Sequence, residues 1–92
     1  MATRVTLANQ YAYIATATTT QVKTGAGILH AIIVNTTSAG AISIIDGTSG
    51  STVNIGSLKA SIVEGTYTYD LVFKAGLRII TAGASDITVI YE

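Results

Sequence analysis

The chain has 92 residues, with five Lys or Arg, five Asp or Glu, one His and nine Gly, and it lacks Cys, Pro and Trp. Only 11% of it is charged and 49% is hydrophobic, against about 25% charged in an average soluble chain, so the surface must be built largely of Thr, Ser, Ala and Gly. Such a composition excludes a disordered tail and a disulfide or thiolate metal framework, and it argues against a nucleic-acid partner, which demands surplus cations.

A single domain of this length buries about 63% of its unfolded surface. Small chains in that position lean on staples, metals or partner subunits. With no ligands for the first two, partner subunits are the expected support. No apolar run approaches the roughly 20 residues of a membrane span, so no membrane partner is expected. Met1 to Val5 lack the continuous apolar core of a secretory signal.

Thr, Ile and Val dominate and Gly punctuates, which is strand composition. Turn signals fall at Thr24 to Gly27, Asn35 to Gly40, Asp46 to Gly50, Glu64-Gly65, Lys74 to Gly76 and Ala82 to Ser85. They divide the chain into expected strands over 4–7, 10–15, 18–23, 28–35, 41–46, 52–56, 58–63, 66–73, 77–82 and 86–91. Regularly spaced short strands of this kind predict an all-β fold, a compact antiparallel β-sandwich or jelly-roll-like barrel. Residues 1–17 read as an extended N-terminal arm or edge strands and residues 18–92 as one β domain.

In the weakly patterned arm, Tyr11 and Tyr13 each supply contact area with a polar tip. Together with Arg4, Val5, Leu7 and Ile14 they are candidate contacts to a partner. Further along, Ile28 to Val34 is apolar on both faces, with Ile28, Ile32 and Val34 on one and Leu29, Ala31 and Ile33 on the other. A strand with one wet face should alternate instead. Either a second layer covers it or another subunit does, and a domain with so shallow a core favours the subunit. Ile42 and Ile44 against Ala41, Ser43 and Ile45 repeat the pattern. Leu29, His30, Ile33, Ile45, Ile80 and Ile90 are the candidate subunit interface.

Period two is clearest where Tyr67, Tyr69, Leu71 and Phe73 share one face and Thr66, Thr68, Asp70 and Val72 the other. Were 82–86 a hairpin loop, Leu77 would pair with Tyr91, Ile79 with Val89 and Thr81 with Ile87.

Chemical motifs are sparse. His30 stands in an apolar strand, where a packed or interface His is the expectation; a catalytic base would need a nucleophile or orienting carboxylate, and a metal ligand would need companions. A pH-sensitive contact is its other reading. Gly25-Ala26-Gly27 is not followed by Gly-Lys-Ser/Thr and reads as a turn. Asp46-Gly47-Thr48-Ser49-Gly50 has one carboxylate where calcium loops use several, and reads as a loop tip whose Asp bonds backbone amides. The sequon at Asn35-Thr36-Thr37 means little without a secretory signal. The five acids stand singly, and no Gly-x-Ser-x-Gly elbow occurs. No catalytic residue, cofactor, metal or small-molecule substrate is expected.

The succession from Thr18-Thr19-Thr20-Gln21-Val22-Lys23 through Gly25-Ala26-Gly27-Ile28-Leu29-His30, Ile32-Ile33-Val34-Asn35 and Ile44-Ile45-Asp46-Gly47-Thr48 resembles small structural proteins of tailed bacteriophages. Gly65-Thr66-Tyr67-Thr68-Tyr69-Asp70, Phe73, Gly76-Leu77 and Asp86 to Tyr91 extend the resemblance, which spans about residues 18–92 and looks most like head decoration, or cement, proteins. That resemblance implies a non-enzymatic β domain, often a trimer, made in the host cytoplasm and seated on the virion's outer capsid surface. Its partners would be the major capsid protein and itself. The other expectations are a neck, tail or head-fibre component, or a carbohydrate-binding β-sandwich in which Tyr11 or Tyr67 stacks on sugar.

Overall fold

The structure is a computed structural model that describes residues 10–92. The expected strand over 4–7 and the candidates Arg4, Val5 and Leu7 lie outside the described residues. Eight strands follow one another: β1 (Gln10–Ile14), β2 (Thr18–Thr24), β3 (Gly27–Thr36), β4 (Ile42–Asp46), β5 (Val53–Leu58), β6 (Gly65–Phe73), β7 (Gly76–Thr81) and β8 (Asp86–Tyr91). They form two antiparallel four-stranded sheets, a first of order β1-β8-β3-β6 and a second of order β2-β7-β4-β5.

The ladders β1·β8, β2·β7, β3·β6 and β4·β5 are nested like one long hairpin rolled upon itself. Together with β3·β8 and β4·β7 they give the eight-stranded jelly-roll arrangement of two packed sheets. The all-β expectation therefore holds, and eight of its ten strands fall where expected to within two residues at each end.

Two local expectations fail. Residues 58–63 are no strand: β5 stops at Leu58, and the chain turns at Ser61, whose φ of 55° reverses it while its N–H donates to the Ser38 carbonyl at 2.7 Å. That turn carries the chain from the second sheet to the first. Likewise 82–86 is no hairpin loop, because β7 and β8 belong to different sheets. Leu77, Ile79, Thr81, Ile87 and Val89 are all buried, but the two groups come from opposing sheets rather than one ladder.

The core lies between the sheets. Ile14, Leu29, Ile32, Val34, Ile42, Ile44, Leu58, Phe73, Leu77, Ile79, Ile87 and Val89 form it. Tyr67, Tyr69 and Leu71 pack at its margin and Thr66, Thr68, Asp70 and Val72 face out, as the period-two pattern of β6 requires.

On β3 the phase differs from expectation. Leu29 to Ala31 spans two residues where β8 advances one, from Tyr91 to Ile90, and where β6 advances three, from Leu71 to Thr68. A bulge at His30 therefore places Leu29 on the same side as Ile32 and Val34, and leaves Ile28, Ala31 and Ile33 outside.

At one end of the sandwich Asp46 fastens two loops. Its carboxylate accepts the N–H groups of Lys74 and Ala75, both at 2.8 Å. These two bonds hold the Asp46 carboxyl below the ordinary carboxylate range. The amide-bonding role expected of Asp46 holds, with the amides supplied by the β6–β7 loop. At the other end buried Thr81 accepts the Thr18 N–H at 3.1 Å and donates to the Thr16 carbonyl at 2.6 Å, while Ser38 and Ser85 share a hydroxyl bond of 2.8 Å.

Candidate functional site

Of the five exposed large apolar or aromatic side chains among the described residues, the outward side of the first sheet holds Tyr11, Tyr13 and Val72, while Val53 stands on β5 and Val63 in the β5–β6 loop. Because residues two apart along a strand share a face, the register sets them in rows. Tyr11, Ile90, Ala31 and Thr68 stand side by side across β1, β8, β3 and β6, and Tyr13, Thr88, Ile33 and Thr66 form the next row. Ile28 and Val72 pair beyond them. Tyr11 is 73% exposed, Tyr13 59% and Val72 64%, whereas Ile28, Ala31, Ile33 and Ile90 are half-buried.

Polar side chains fasten this face from its margins. The Tyr13 hydroxyl donates to Asp86 at 2.6 Å, and Asn35 Nδ2 donates to Asp86 at 3.1 Å and to the Thr88 hydroxyl at 3.2 Å. One carboxylate thereby ties β1 to β3 across β8. The bond to Asp86 holds the Tyr13 phenol above its ordinary range.

His30 stands at the bulge between two carboxylates, with Nδ1 3.2 Å from Asp70 and Nε2 3.6 Å from Glu92. Asp70 adopts φ 49°, a left-handed conformation that Asp tolerates better than most residues. Nε2 is buried and makes no hydrogen bond. A protonated ring could donate towards both carboxylates; a neutral ring has one N–H only. Both ring nitrogens face acids, so neither is turned to a hydroxyl nucleophile.

The sequence candidates are placed as follows. Tyr11, Tyr13, His30, Ile33 and Ile90 share the first sheet's outer face. Ile14 and Leu29 do not: both are core residues, Leu29 with no exposure at all, because the His30 bulge turns it inward. Leu29 as a subunit-interface candidate and Ile14 as a candidate contact of the arm to a partner are thereby corrected. Ile45 and Ile80 are on the outer face of the second sheet, opposite the others, with Ile45 only 6% exposed. No single flat surface can include Ile33, Ile90, Ile45 and Ile80. The candidates thus divide between two sides of the molecule.

Sequence reasoning missed Ile28 and Val72, which the bulge and the β6 alternation turn outward, and the Tyr13–Asp86–Asn35 fastening. Nothing local announces a bond between residues 13 and 86. The side of Val72 was visible in the pattern of β6, and only its company was not.

A shallow cleft at the Asp46 end is lined by Gly47, Thr48, Ser49, Ser51, Val53 and Lys74. Its one carboxylate is engaged by backbone amides, which leaves hydroxyls and a single Lys. Among the described residues no group of three His, Asp or Glu side chains is placed to hold a metal ion.

No protein-family model matches the chain, and no curated protein matches it.

Proposed function

We infer that the protein is a non-enzymatic structural component that works by adhesion, and that it decorates the outer capsid surface of a tailed bacteriophage. The observation that carries adhesion is the apolar group of Tyr11, Tyr13, Ala31, Ile33 and Ile90 on the outer face of the first sheet, two of whose members are tyrosines on β1, with the Ile28–Val72 pair set apart from it by His30 and Asp70. A cluster of this kind marks a contact surface, whereas singly scattered apolar residues do not. The choice of a capsid as partner rests on the resemblance of residues 18–92 to head decoration proteins. Under this reading the protein is made in the host cytoplasm, binds the major capsid protein, and coats the head in many copies.

Such a component stabilises a shell by binding the mature lattice more tightly than its precursor, since a ligand shifts an equilibrium only by its differential affinity. Thr and Ala at the surface lose little rotamer entropy on contact. The test is co-sedimentation of the purified chain with assembled shells and with precursor shells of its parent phage. Retention on the assembled shells alone is the expected result, and retention on neither removes the reading. Immunogold labelling at the neck, tail or fibre would assign it to another virion part. The sugar-binding alternative now has Tyr11 as its stacking residue, because Tyr67 is half-buried with its hydroxyl bonded to the Val63 carbonyl.

A further inference from the structure

Among the described residues four strands are sheet edges: β1 and β6 in the first sheet, β2 and β5 in the second. An edge presents unpaired N–H and C=O groups, and proteins blunt such edges with bulges and charges. Three of the four are blunted here. β2 carries an extra residue at Val22, where Gln21 to Lys23 spans one step of β7, and it bears Lys23. β5 carries an extra residue at Ile55, between the partners of Ile44 and Ile45. β6 carries its extra residue at the Tyr69-Asp70 step, with Asp70 in the left-handed region and charged.

Among the described residues β1 has none of these devices. Its register against β8 runs without a shift from Gln10↔Tyr91 to Ile14↔Ile87. The strand reads Gln-Tyr-Ala-Tyr-Ile, with no charge, Gly or Pro. Its centre is also a palindrome.

We propose that two copies of this chain join edge to edge through β1, antiparallel about a two-fold axis at Ala12. Ala12 then faces its own copy, Tyr11 stands opposite the partner's Tyr13, and Tyr13 stands opposite the partner's Tyr11. The two directly opposed pairs have Cβ atoms about 5 Å apart, and four tyrosine rings gather on one side of the joint sheet, where aromatic pairs favour offset or edge-to-face packing. The pattern is self-complementary, as a closed isologous interface requires. It is also free of charged side chains, whereas β6 on β6 would carry Asp70 into the junction and β2 on β2 would carry Lys23. The pairing makes the outer faces of two first sheets into one continuous eight-stranded surface. It does not depend on a capsid.

Five residues per copy make a short junction, so the association is expected to be modest and is best read over a concentration range. Sedimentation equilibrium of the full chain from about 10 μM to about 1 mM should show a monomer of 9.4 kDa passing to twice that mass. Tyr11→Lys, at an exposed side chain, should weaken the dimer at least tenfold with an unchanged far-ultraviolet spectrum. The chain has no Cys, so register can be read by oxidation. A mixture of Tyr11→Cys and Tyr13→Cys chains should form the mixed disulfide, and neither variant alone should link to itself. Overturning results are a monomer throughout, a trimer, a dimer indifferent to Tyr11→Lys, or Tyr11→Cys linking only with its own kind. Loss of shell binding with the dimer intact would remove the capsid reading and leave this one standing.

Discussion

Ile90 and Ile80 hold matching places, each half-buried on the outward side of the strand next to an edge. Their neighbours differ. Ile90 stands between Tyr11 and Ala31 in a row that ends at Thr68, whereas Ile80 stands between Thr19 and Ser43 in a row that ends at Ser57. The following row of the second sheet is Gln21, Arg78, Ile45 and Asn54, against Tyr13, Thr88, Ile33 and Thr66 in the first. An isolated exposed isoleucine is ordinary. What distinguishes the first sheet is adjacency, so the same residue type is a surface detail on one side and part of a contact patch on the other.

The contrast can be attacked at four points, in falling order of effect. The largest tests which side of β3 is structural. Leu29→Ala should lower unfolding free energy by about 2–5 kcal/mol, and Ile33→Ala, one face over, by about 1 kcal/mol, both read by urea denaturation. Equal losses would mean that the His30 bulge does not set the phase. Next, Thr81→Val keeps the shape but strands the Thr18 N–H and the Thr16 carbonyl. A loss of about 1–3 kcal/mol in the same assay is expected, and a neutral result would show that water replaces this fastening of the second sheet.

Third, Asp46→Asn tests the loop clamp through pH. Asp46 has a folded pKa below its ordinary 3.8, so its contribution is complete above that value and is lost as pH falls through the lowered folded one. An amide offers one acceptor oxygen for two N–H groups. The melting temperature of Asp46→Asn should therefore lie below that of the native chain at pH 6, and the gap should narrow as pH falls below 3.8. A constant gap would contradict the charge as its cause. Smallest in stability is the face comparison itself: Tyr11→Ser and Ile80→Thr should each change unfolding free energy by no more than about 0.5 kcal/mol. Only Tyr11→Ser should reduce self-association in sedimentation. Equal effects on association would erase the distinction between the faces.

The sequence made the strands legible and left their arrangement hidden, for a definite reason. β-branched runs cut by Gly and Asp identify strands because those signals are local. Pairing is not local here: among the eight strands only β4 and β5 are both consecutive and hydrogen-bonded. Every other connection crosses between sheets, so reading 82–86 as a hairpin applied a sound rule to the wrong connection. The face assignment of 28–34 failed for Ile28 and Leu29, the two residues before the bulge. A bulge reverses the inside and outside of everything beyond it, and nothing in Leu29-His30-Ala31 marks it. It becomes evident only when Asp70 and Glu92, remote in the chain, are seen on either side of His30. Tyr11 and Tyr13 were legible because two aromatics in an Ala- and Thr-rich stretch stand out by type. Ile14 was not, since its neighbours give no sign that it points inward.

Gly27 illustrates a tighter constraint. A Cβ there would lie 2.2 Å from the Glu92 carbonyl oxygen and 2.6 Å from the Phe73 ring, so this point where β3, β6 and the chain beyond β8 converge admits only hydrogen as a side chain.

Nesting also governs the order in which the sandwich can be completed during synthesis. Among the described residues β1 meets its ladder neighbour at residues 87–91, and β2 must wait in the same way for β7. A nascent chain emerging from the ribosome therefore holds its earliest strands unzipped until nearly all of this domain has been translated. Long loop closures of this kind slow folding and prolong the exposure of unpaired strands, which makes the edge of β1 most vulnerable to premature partners before β8 is in place.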